Sequence, residues 1–228
     1  MKAGQWDPYV YQASKHQNAH CNNRKLEKVV INDIPKPVEN QNQFLVKIQS
    51  ASLCHSDLMM HMRPDYPVTM GHEGVGHIES IGSSAANRGF QVGDAIGFGY
   101  FIDCCFECEG CMVHNMHCET GNQKLQGVVV NGYFAEYAVV DWQNAIKLPE
   151  TLDMSRTAPL FCAGITAFHS VDGCELKEGE WLAVIGCGGL GQYAIQHAKA
   201  VGDSQEEQDR SLVANINEDG VQDHRSGH

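Results

Sequence analysis

The sequence has 228 residues, of which 43% are hydrophobic and 19% are charged, and its formal net charge is −12. This composition is typical of a globular protein, and the length allows one large or two modest domains. The acidic balance, without any long basic run, argues against binding to nucleic acid or to an anionic membrane surface.

The ten cysteines need an explanation in such a chain. The first residues lack the apolar core of a signal peptide, and no apolar stretch is long enough to span a membrane, so we expect a cytoplasmic protein. Disulfides are rare in the cytosol, where a cysteine cluster more often binds a metal or takes part in catalysis. Five of the ten cysteines lie between Cys104 and Cys118.

Short strand patterns, separated by glycine, proline and asparagine turns, dominate the first part of the chain. The predicted strands are Lys2–Trp6, Leu26–Ile34, Phe44–Ser50, Val75–Ile81, Asp94–Phe98, Tyr133–Val140 and Ala145–Leu148. Many short strands with frequent glycines indicate a compact β barrel or sandwich. We therefore predict a β domain for residues 1–150.

The pattern changes after residue 150. The predicted elements are a helix over Met154–Val171, a buried strand over Trp181–Ile185 and a helix over Gln192–Val201. A glycine-rich turn separates that strand from the last helix, and a strand–turn–helix unit begins a doubly wound α/β domain. Residues 151–228 are therefore predicted as a second domain, with a polar tail from about residue 203.

The segment from Leu53 to Gly76 carries Cys54 and His72 inside a glycine-rich frame. Thiolate and imidazole are ligands that zinc prefers, and a catalytic zinc site has three protein ligands and one open position. The segment predicts such a site only if a third ligand comes from elsewhere in the chain. The alternative is a buried cysteine beside surface histidines.

Four cysteines follow a tight spacing, C-x2-C-x2-C and then one more after six residues. They are Cys105, Cys108, Cys111 and Cys118. Four thiolates around one ion form a closed, structural zinc site, which this spacing favours over a disulfide or an iron–sulfur loop. Cys104 is an additional cysteine next to this set, and His114 or His117 is an alternative ligand if one of the four sulfurs is badly placed.

A glycine fingerprint, G-x-G-x-x-G, stands between the predicted strand and the last helix. It comprises Gly186, Gly188, Gly189, Leu190 and Gly191. The first glycine permits a tight turn, the second lets a pyrophosphate approach the backbone, and the last lets strand and helix pack closely. The helix N-terminus then offers unpaired N–H groups to phosphate. A flexible glycine turn is the alternative.

The acidic residue expected about twenty positions after the fingerprint is not clearly present. Position 210 is Arg210, and a second strand over Ser211–Ile216 is followed by Asn217, Glu218 and Asp219. An acidic residue there would favour NAD, because it would bond the ribose hydroxyls, whereas Asn217 would not. The choice between NAD and NADP stays open.

Taken in order, the motifs CHSD, GHEGVGH, CFECEGC, GYFAEY, PLFCAG and GCGGLG resemble the zinc-containing alcohol dehydrogenases of the medium-chain dehydrogenase/reductase family. The resemblance covers roughly residues 1–202. It implies a fold of the α/β plus β class: a GroES-like β-barrel catalytic domain followed by a Rossmann domain, which is a doubly wound parallel sheet. The active site of such proteins lies in the cleft between the two domains.

The resemblance also implies roles for single residues. Cys162, in PLFCAG, matches the remaining zinc cysteine beside Cys54 and His72. Glu73 matches a carboxylate that lies close to the metal and can enter its coordination shell. Two zinc ions per chain are therefore expected, one catalytic and one structural.

Three neighbours of Cys54 match catalytic groups of the family. Ser56 matches the hydroxyl that accepts the alcohol proton, Asp57 the group that orients the zinc-bound histidine, and His55 a residue that reaches the cofactor pyrophosphate. Ser56 and Asp57 are also good caps for a short helix. Met59 stands where many relatives carry a histidine that ends the proton relay, and His61 is the nearby substitute.

The implied activity is hydride transfer between a primary or secondary alcohol, or an aldehyde or ketone, and NAD or NADP. A homo-oligomer is expected for a full-length form. The alternative is a non-catalytic, zinc-stabilised GroES-like remnant or interaction protein. A zinc-free quinone reductase of the same superfamily is disfavoured, because such proteins lack both cysteine sets.

The end of the chain limits this expectation. A six-strand doubly wound domain needs on the order of 150 residues, since each strand–helix unit takes about 30. The residues from Asp203 onward are mostly polar and acidic, and they predict a tail with at most one strand. We therefore expect a C-terminally truncated Rossmann domain with uncovered apolar strand faces, and a chain that is catalytically poor or inactive.

Overall fold

The computed structural model describes residues 1–6, 30–58, 67–177, 180–203, 213–217 and 220–223. Their contacts divide the chain into two compact units, Met1–Phe161 and Cys162–His228. The predicted boundary near residue 150 falls inside the first unit, because the 3₁₀ helix Ala158–Phe161 packs on β strands of that unit. Within the described ranges, no helix is both long and apolar enough to cross a bilayer.

Ten strands are described in the first unit. They are β1 (Lys2–Trp6), β2 (Val30–Asp33), β3 (Gln43–Ser52), β4 (Val68–Thr69), β5 (Glu73–Ile81), β6 (Ala95–Phe98), β7 (Phe101–Ile102), β8 (Lys124–Leu125), β9 (Tyr137–Asp141) and β10 (Ala145–Lys147). The central antiparallel sheet has the order β10-β6-β5-β3-β9, and a smaller sheet has the order β2-β1-β4. Strands β7 and β8 pair with each other.

The central sheet carries the core of the first unit. Its fully buried side chains include Phe44, Val46, Ile96, Phe98 and Tyr133. Burying each of the aliphatic and aromatic side chains contributes about 1.5–3 kcal/mol. The phenol of Tyr133 is not left unsatisfied, because it donates to the carbonyl of Gly99 at 2.7 Å.

The pairing of β3 with β5 positions the predicted metal ligands. Its register ends with Ser52 opposite Glu73. Cys54 follows the end of β3, and His72 immediately precedes β5. Two residues that are far apart in the sequence therefore meet at one end of the sheet. The 3₁₀ helix His55–Leu58 continues the chain from this point.

A small lobe follows β7. It contains the short helix α1 (Glu109–Val113) and the 3₁₀ helix Asn115–His117. These elements are not predictable from the sequence, because they are too short for an apolar period. Asp103 and Phe106 adopt left-handed backbone conformations, which close the tight loop around the cysteines.

The structure differs from the prediction over residues 154–172. The single helix expected over Met154–Val171 is three elements: α2 (Met154–Thr157), the 3₁₀ helix Ala158–Phe161 and α3 (Ala163–Asp172). Pro159 explains the first change, because proline has no N–H and its ring clashes with the preceding turn. Cys162, with φ −140° and ψ −72°, separates the second element from α3.

The second unit contains a βαβ unit. Strand β11 (Leu182–Ile185) leads into α4 (Gly189–Asp203) and pairs in parallel with β12 (Val213–Asn217), which pairs antiparallel with β13 (Gly220–Asp223). Helix α3 packs on α4. The small core contains Val171, Val184 and Ala198. This is the beginning of a doubly wound sheet, as the sequence predicted.

Two details of the second unit differ from expectation. Trp181–Ile185 was predicted as buried, but Trp181 is 66% and Ile185 is 81% exposed, because helices pack on only part of the strand. Among the described residues, part of this apolar segment is therefore exposed. The tail also holds two strands instead of one, because only two residues separate Asn217 from Gly220, a spacing that suits a hairpin.

The remaining strand predictions hold with shifted ends. The strand expected from Tyr133 begins at Tyr137, because the N–H groups of Tyr133 and Phe134 bond to the carbonyls of Gly71 and Met70 instead. The short strands β4, β7 and β8 were not predicted. Met59, His61 and Arg210 lie outside the described residues.

Candidate metal centres and nucleotide loop

Three predicted ligands of the catalytic metal meet in the first unit. Ligand atoms of Cys54, His72 and Glu73 lie within 4.8 Å of one another. His72 is 3% and Glu73 is 2% exposed, while Cys54 is half-buried. One thiol, one imidazole and one carboxylate in a largely dehydrated position form a donor set suited to zinc.

Asp57 connects two of these ligands. Its side chain is fully buried, and Oδ2 accepts a hydrogen bond from the backbone N–H of Cys54 at 2.9 Å. Oδ1 lies 3.0 Å from Nδ1 of His72. Asp57 therefore accepts a hydrogen bond from the Nδ1–H group of the ring, which leaves Nε2 as the nitrogen available to a metal. The edge of Tyr100 packs against the same ring, with centroids 5.3 Å apart.

Of the other predicted site residues, His55 and Ser56 lie between Cys54 and His72 in the chain, and Cys162 follows much later. His55 and Ser56 begin the 3₁₀ helix after Cys54, and His55 is exposed whereas Ser56 is half-buried. Cys162 is the first residue of the second unit and follows Phe161 directly. The ring of Phe161 packs on Gly97 of β6 so closely that a Cβ on Gly97 would lie 1.7 Å from it.

The four cysteines of the lobe converge. Ligand atoms of Cys105, Cys108, Cys111 and Cys118 lie within 4.8 Å of one another. The sulfur of Cys105 is 3.8 Å from that of Cys111 and 3.6 Å from that of Cys118. A tetrahedron with Zn–S bonds of about 2.3 Å has sulfur–sulfur separations of about 3.8 Å. The cluster therefore has the dimensions of a four-thiolate zinc site.

Hydrogen bonds prepare two of these sulfurs for a metal. The hydroxyl of Thr120, 3.1 Å from the sulfur of Cys118, and the N–H of Cys105 lower the pKa of Cys118 to about 6. The N–H groups of Glu119 and Cys111 lower the pKa of Cys108. Because the thiolate is the form that binds a metal, the lowered pKa values of Cys118 and Cys108 favour metal binding at neutral pH.

The predicted substitutes do not join this cluster. Cys104 bonds to the carbonyl of Asn115 at 3.7 Å, and burial raises the pKa of its thiol to about 12. His114 accepts the N–H of Met116 through Nδ1. Gly110 lets the turn before Cys118 pack closely, because a Cβ there would lie 1.8 Å from the carbonyl oxygen of His117.

The glycine loop has the geometry that its sequence predicts. Gly186 has a φ of +88°, which suits a tight turn at the end of β11. A Cβ on Gly191 would lie 2.0 Å from the carbonyl of Gly186, so strand and helix approach closely there. A Cβ on Gly188 would meet nothing within 4 Å. The second glycine thus faces open space, as the approach of a pyrophosphate requires.

Leu190 and the start of α4 complete this loop. Leu190 is 50% exposed, and α4 begins at Gly189 and runs for 15 residues. The first N–H groups of such a helix have no partner within the helix and attract phosphate. The backbone conformation of this loop is therefore suited to binding a dinucleotide. The side chains of the loop do not select NAD over NADP.

Comparisons with known proteins agree with this geometry. Residues 40–150 match the family model of the alcohol dehydrogenase GroES-like domain. An alcohol dehydrogenase of Geobacillus stearothermophilus is 35% identical over 178 residues, which are 75% of this chain and 52% of that protein. The chain thus spans about half the length of the curated relatives that it matches.

Solved structures show the same fold. The alcohol dehydrogenase of Aeropyrum pernix is 28% identical with a TM-score of 0.74, and the match covers 95% of this chain and 59% of that one. A protein of Sinorhizobium meliloti, described as a zinc-binding dehydrogenase bound to NADP, is 27% identical with a TM-score of 0.64. That match covers 75% of this chain and 50% of the other.

Proposed function

Because the chain belongs to the zinc-containing alcohol dehydrogenases of the medium-chain dehydrogenase/reductase family, we propose that it carries the catalytic domain of a zinc-dependent alcohol dehydrogenase or carbonyl reductase. The observation that carries this proposal is the buried Asp57, whose two oxygens hold the backbone of Cys54 and the ring of His72. A merely structural cysteine and histidine would not need this shared carboxylate.

Cys54 and His72 would hold the catalytic zinc, and Glu73 would lie beside it. Cys162 is proposed as the third protein ligand on the strength of the family resemblance. A zinc ion held there would supply Lewis-acid chemistry, which would lower the pKa of a bound alcohol or polarise a carbonyl. The side chains of Glu73 and His72 are buried, so they would shield one side of the zinc position from water.

The remaining residues handle the proton and the cofactor. Ser56, half-buried and two residues after Cys54, is proposed to accept the proton of the alcohol. The loop from Gly186 to Gly191 and the N-terminus of α4 are proposed to bind the pyrophosphate of NAD or NADP, and His55 to contact it from its exposed position. The hydride chemistry belongs to the cofactor, and these residues supply position and charge.

The lobe cysteines are proposed to hold a second, structural zinc ion. Four thiolates leave no open position for substrate, so this ion would fix the loop between Asp103 and Thr120. Neutral alcohols, aldehydes or ketones are the proposed substrates. The cytosolic location and a homo-oligomeric full-length form stay predictions.

A second candidate function is favoured by one observation. Trp181, directly before β11, and Ile185, at its end, are largely exposed. A zinc-stabilised GroES-like protein that binds partners without turnover would also show these features. A turnover assay tests this second candidate, and it also tests the low activity that is expected from the sequence.

The test combines cofactor binding with turnover. NADH and NADPH are titrated separately into the zinc-loaded chain while their fluorescence is followed, and a panel of alcohols and aldehydes is then assayed. Saturable cofactor binding, together with alcohol oxidation that is lost in Cys54→Ser, would support the dehydrogenase. Full zinc content with neither cofactor binding nor turnover would support the non-catalytic candidate.

A further inference from the structure

Ser52 is hydrogen-bonded to Glu73, which lies beside the proposed metal position. It is the last residue of β3 and stands opposite Glu73, the first residue of β5, in the sheet register. The hydroxyl of Ser52 donates a hydrogen bond to Oε2 of Glu73. Ser52 is half-buried, and Glu73 is only 2% exposed. No motif in the sequence indicates this contact, because it joins two strands.

The hydrogen bond limits what Glu73 offers to a metal. A carboxylate has two oxygens, and each can accept a hydrogen bond or bind zinc. A bond from a hydroxyl to an ionised oxygen is charge-assisted and therefore strong. An oxygen that accepts such a bond is a weaker ligand, since the proton and the metal compete for the same lone pairs. Oε2 is the oxygen affected.

This restriction has a chemical consequence for the centre. Ligand atoms of Glu73, Cys54 and His72 lie within 4.8 Å of one another, so the carboxylate is close enough to enter the coordination shell. A carboxylate that bound through both oxygens would fill the position that a substrate needs. A catalytic zinc site differs from a structural one in keeping that position open.

We propose that Ser52 is a positioning residue that holds Glu73 Oε2 away from the metal and so keeps a coordination position open for substrate. This inference rests on the proposed function in one respect, the presence of a metal ion at Cys54, His72 and Glu73. Without the hydroxyl, Oε2 loses a hydrogen-bond donor in a buried position, which shifts the competition for this oxygen toward the metal ion.

The test uses cobalt(II) in place of zinc in the full chain, because its visible spectrum reports coordination number. The spectrum of Cys54→Ser is subtracted to remove the four-thiolate site. In Ser52→Ala, we expect the cobalt bands to lose intensity, since five-coordinate cobalt absorbs less strongly than four-coordinate cobalt. Release of the ion to a chelator should slow several-fold. Ser52→Thr should restore both wild-type results.

Ser50→Ala is the matched control. Ser50 lies two residues earlier on the same strand, is also half-buried, and donates its hydroxyl to the carbonyl of Met154 instead of to Glu73. It should leave the spectrum and the release rate unchanged. An unchanged spectrum in Ser52→Ala, loss of the ion in that variant, or an equal change in Ser50→Ala would overturn the proposal.

The test also separates this inference from the proposed function. A chain that shows the expected cobalt spectra but oxidises no alcohol would contradict the dehydrogenase and support the role of Ser52. If the chain oxidised alcohols while Ser52→Ala kept the wild-type cobalt spectrum, the dehydrogenase would be supported and the role of Ser52 would be contradicted. If the wild type bound no cobalt beyond the Cys54→Ser background, both would fall.

Discussion

Oδ1 of Asp57 lies 3.0 Å from Nδ1 of His72, and both side chains are buried. The contact determines which ring nitrogen is available to a metal, because the carboxylate accepts a hydrogen bond from Nδ1–H and leaves Nε2 free to bind. The other oxygen of Asp57 holds the backbone of Cys54. One carboxylate thus orients two ligands that the sequence separates by 17 intervening residues (72 − 54 − 1).

The first prediction concerns this carboxylate. Asp57→Asn should weaken metal affinity at the Cys54–His72 centre by about 10–100-fold, because the amide cannot accept both hydrogen bonds equally well. Competition with a chelator measures the affinity. Asp153→Asn is the control, since Asp153 caps α2 at an exposed position and asparagine is also a good cap. Equal affinities in wild type and Asp57→Asn would exclude Asp57 from the centre.

The second prediction distinguishes two glycines of the nucleotide loop. Gly191→Ala should lower the melting temperature, because the new Cβ would lie 2.0 Å from the carbonyl of Gly186. Gly188→Ala should keep the wild-type melting temperature, since a Cβ there meets nothing within 4 Å, but it should weaken NADH binding. Thermal melts and NADH fluorescence give both results. Tight NADH binding by Gly188→Ala would argue against a cofactor at this loop.

The third prediction concerns the proton. In a form of this protein that oxidises alcohol, Ser56→Ala should lower turnover by about 10²–10⁴-fold and leave the zinc content unchanged. The hydroxyl handles a proton and is not a metal ligand. Turnover measured across the pH range, with zinc determined in the same samples, checks both statements. Wild-type turnover at every pH would remove Ser56 from the mechanism.

The fourth prediction follows from the lowered pKa of Cys118. In the metal-free chain the thiolate of Cys118 should persist down to about pH 6, because Thr120 stabilises the charged form. Thr120→Val should move this titration to higher pH. Alkylation of Cys118 at a series of pH values, followed by mass spectrometry, measures it, and Thr151→Val serves as an exposed control. The same titration in Thr120→Val and in wild type would contradict the assignment.

Local patterns made part of this account predictable. The spacing of Cys105 to Cys118 and the loop from Gly186 to Gly191 are short, so their geometry follows from nearby residues. Pro159 is a further local signal: the apolar period alone predicts one helix over Met154–Val171, but the helix is divided at this proline. The exposed side of β11 follows from how few of the described elements pack on this strand, and its apolar sequence does not reveal it.

Contacts across the sheet were not predictable in the same way. The meeting of Cys54 with His72 depends on the register of β3 and β5, which the spacing of the two residues does not reveal. The family resemblance, and not the local pattern, indicated it. Ser52 was missed for the same reason, because its partner Glu73 lies on the neighbouring strand. Thr120 carried no signal beyond its closeness to Cys118.

The central claim is that the chain holds two separate zinc sites, and zinc content tests it most directly. Elemental analysis of the purified chain should give two ions per chain, and one ion in each of Cys54→Ser and Cys108→Ser. Cys174→Ser, at an exposed cysteine outside both clusters, should keep two. One ion or none in the wild type, or loss of both ions on changing Cys54 alone, would contradict the account.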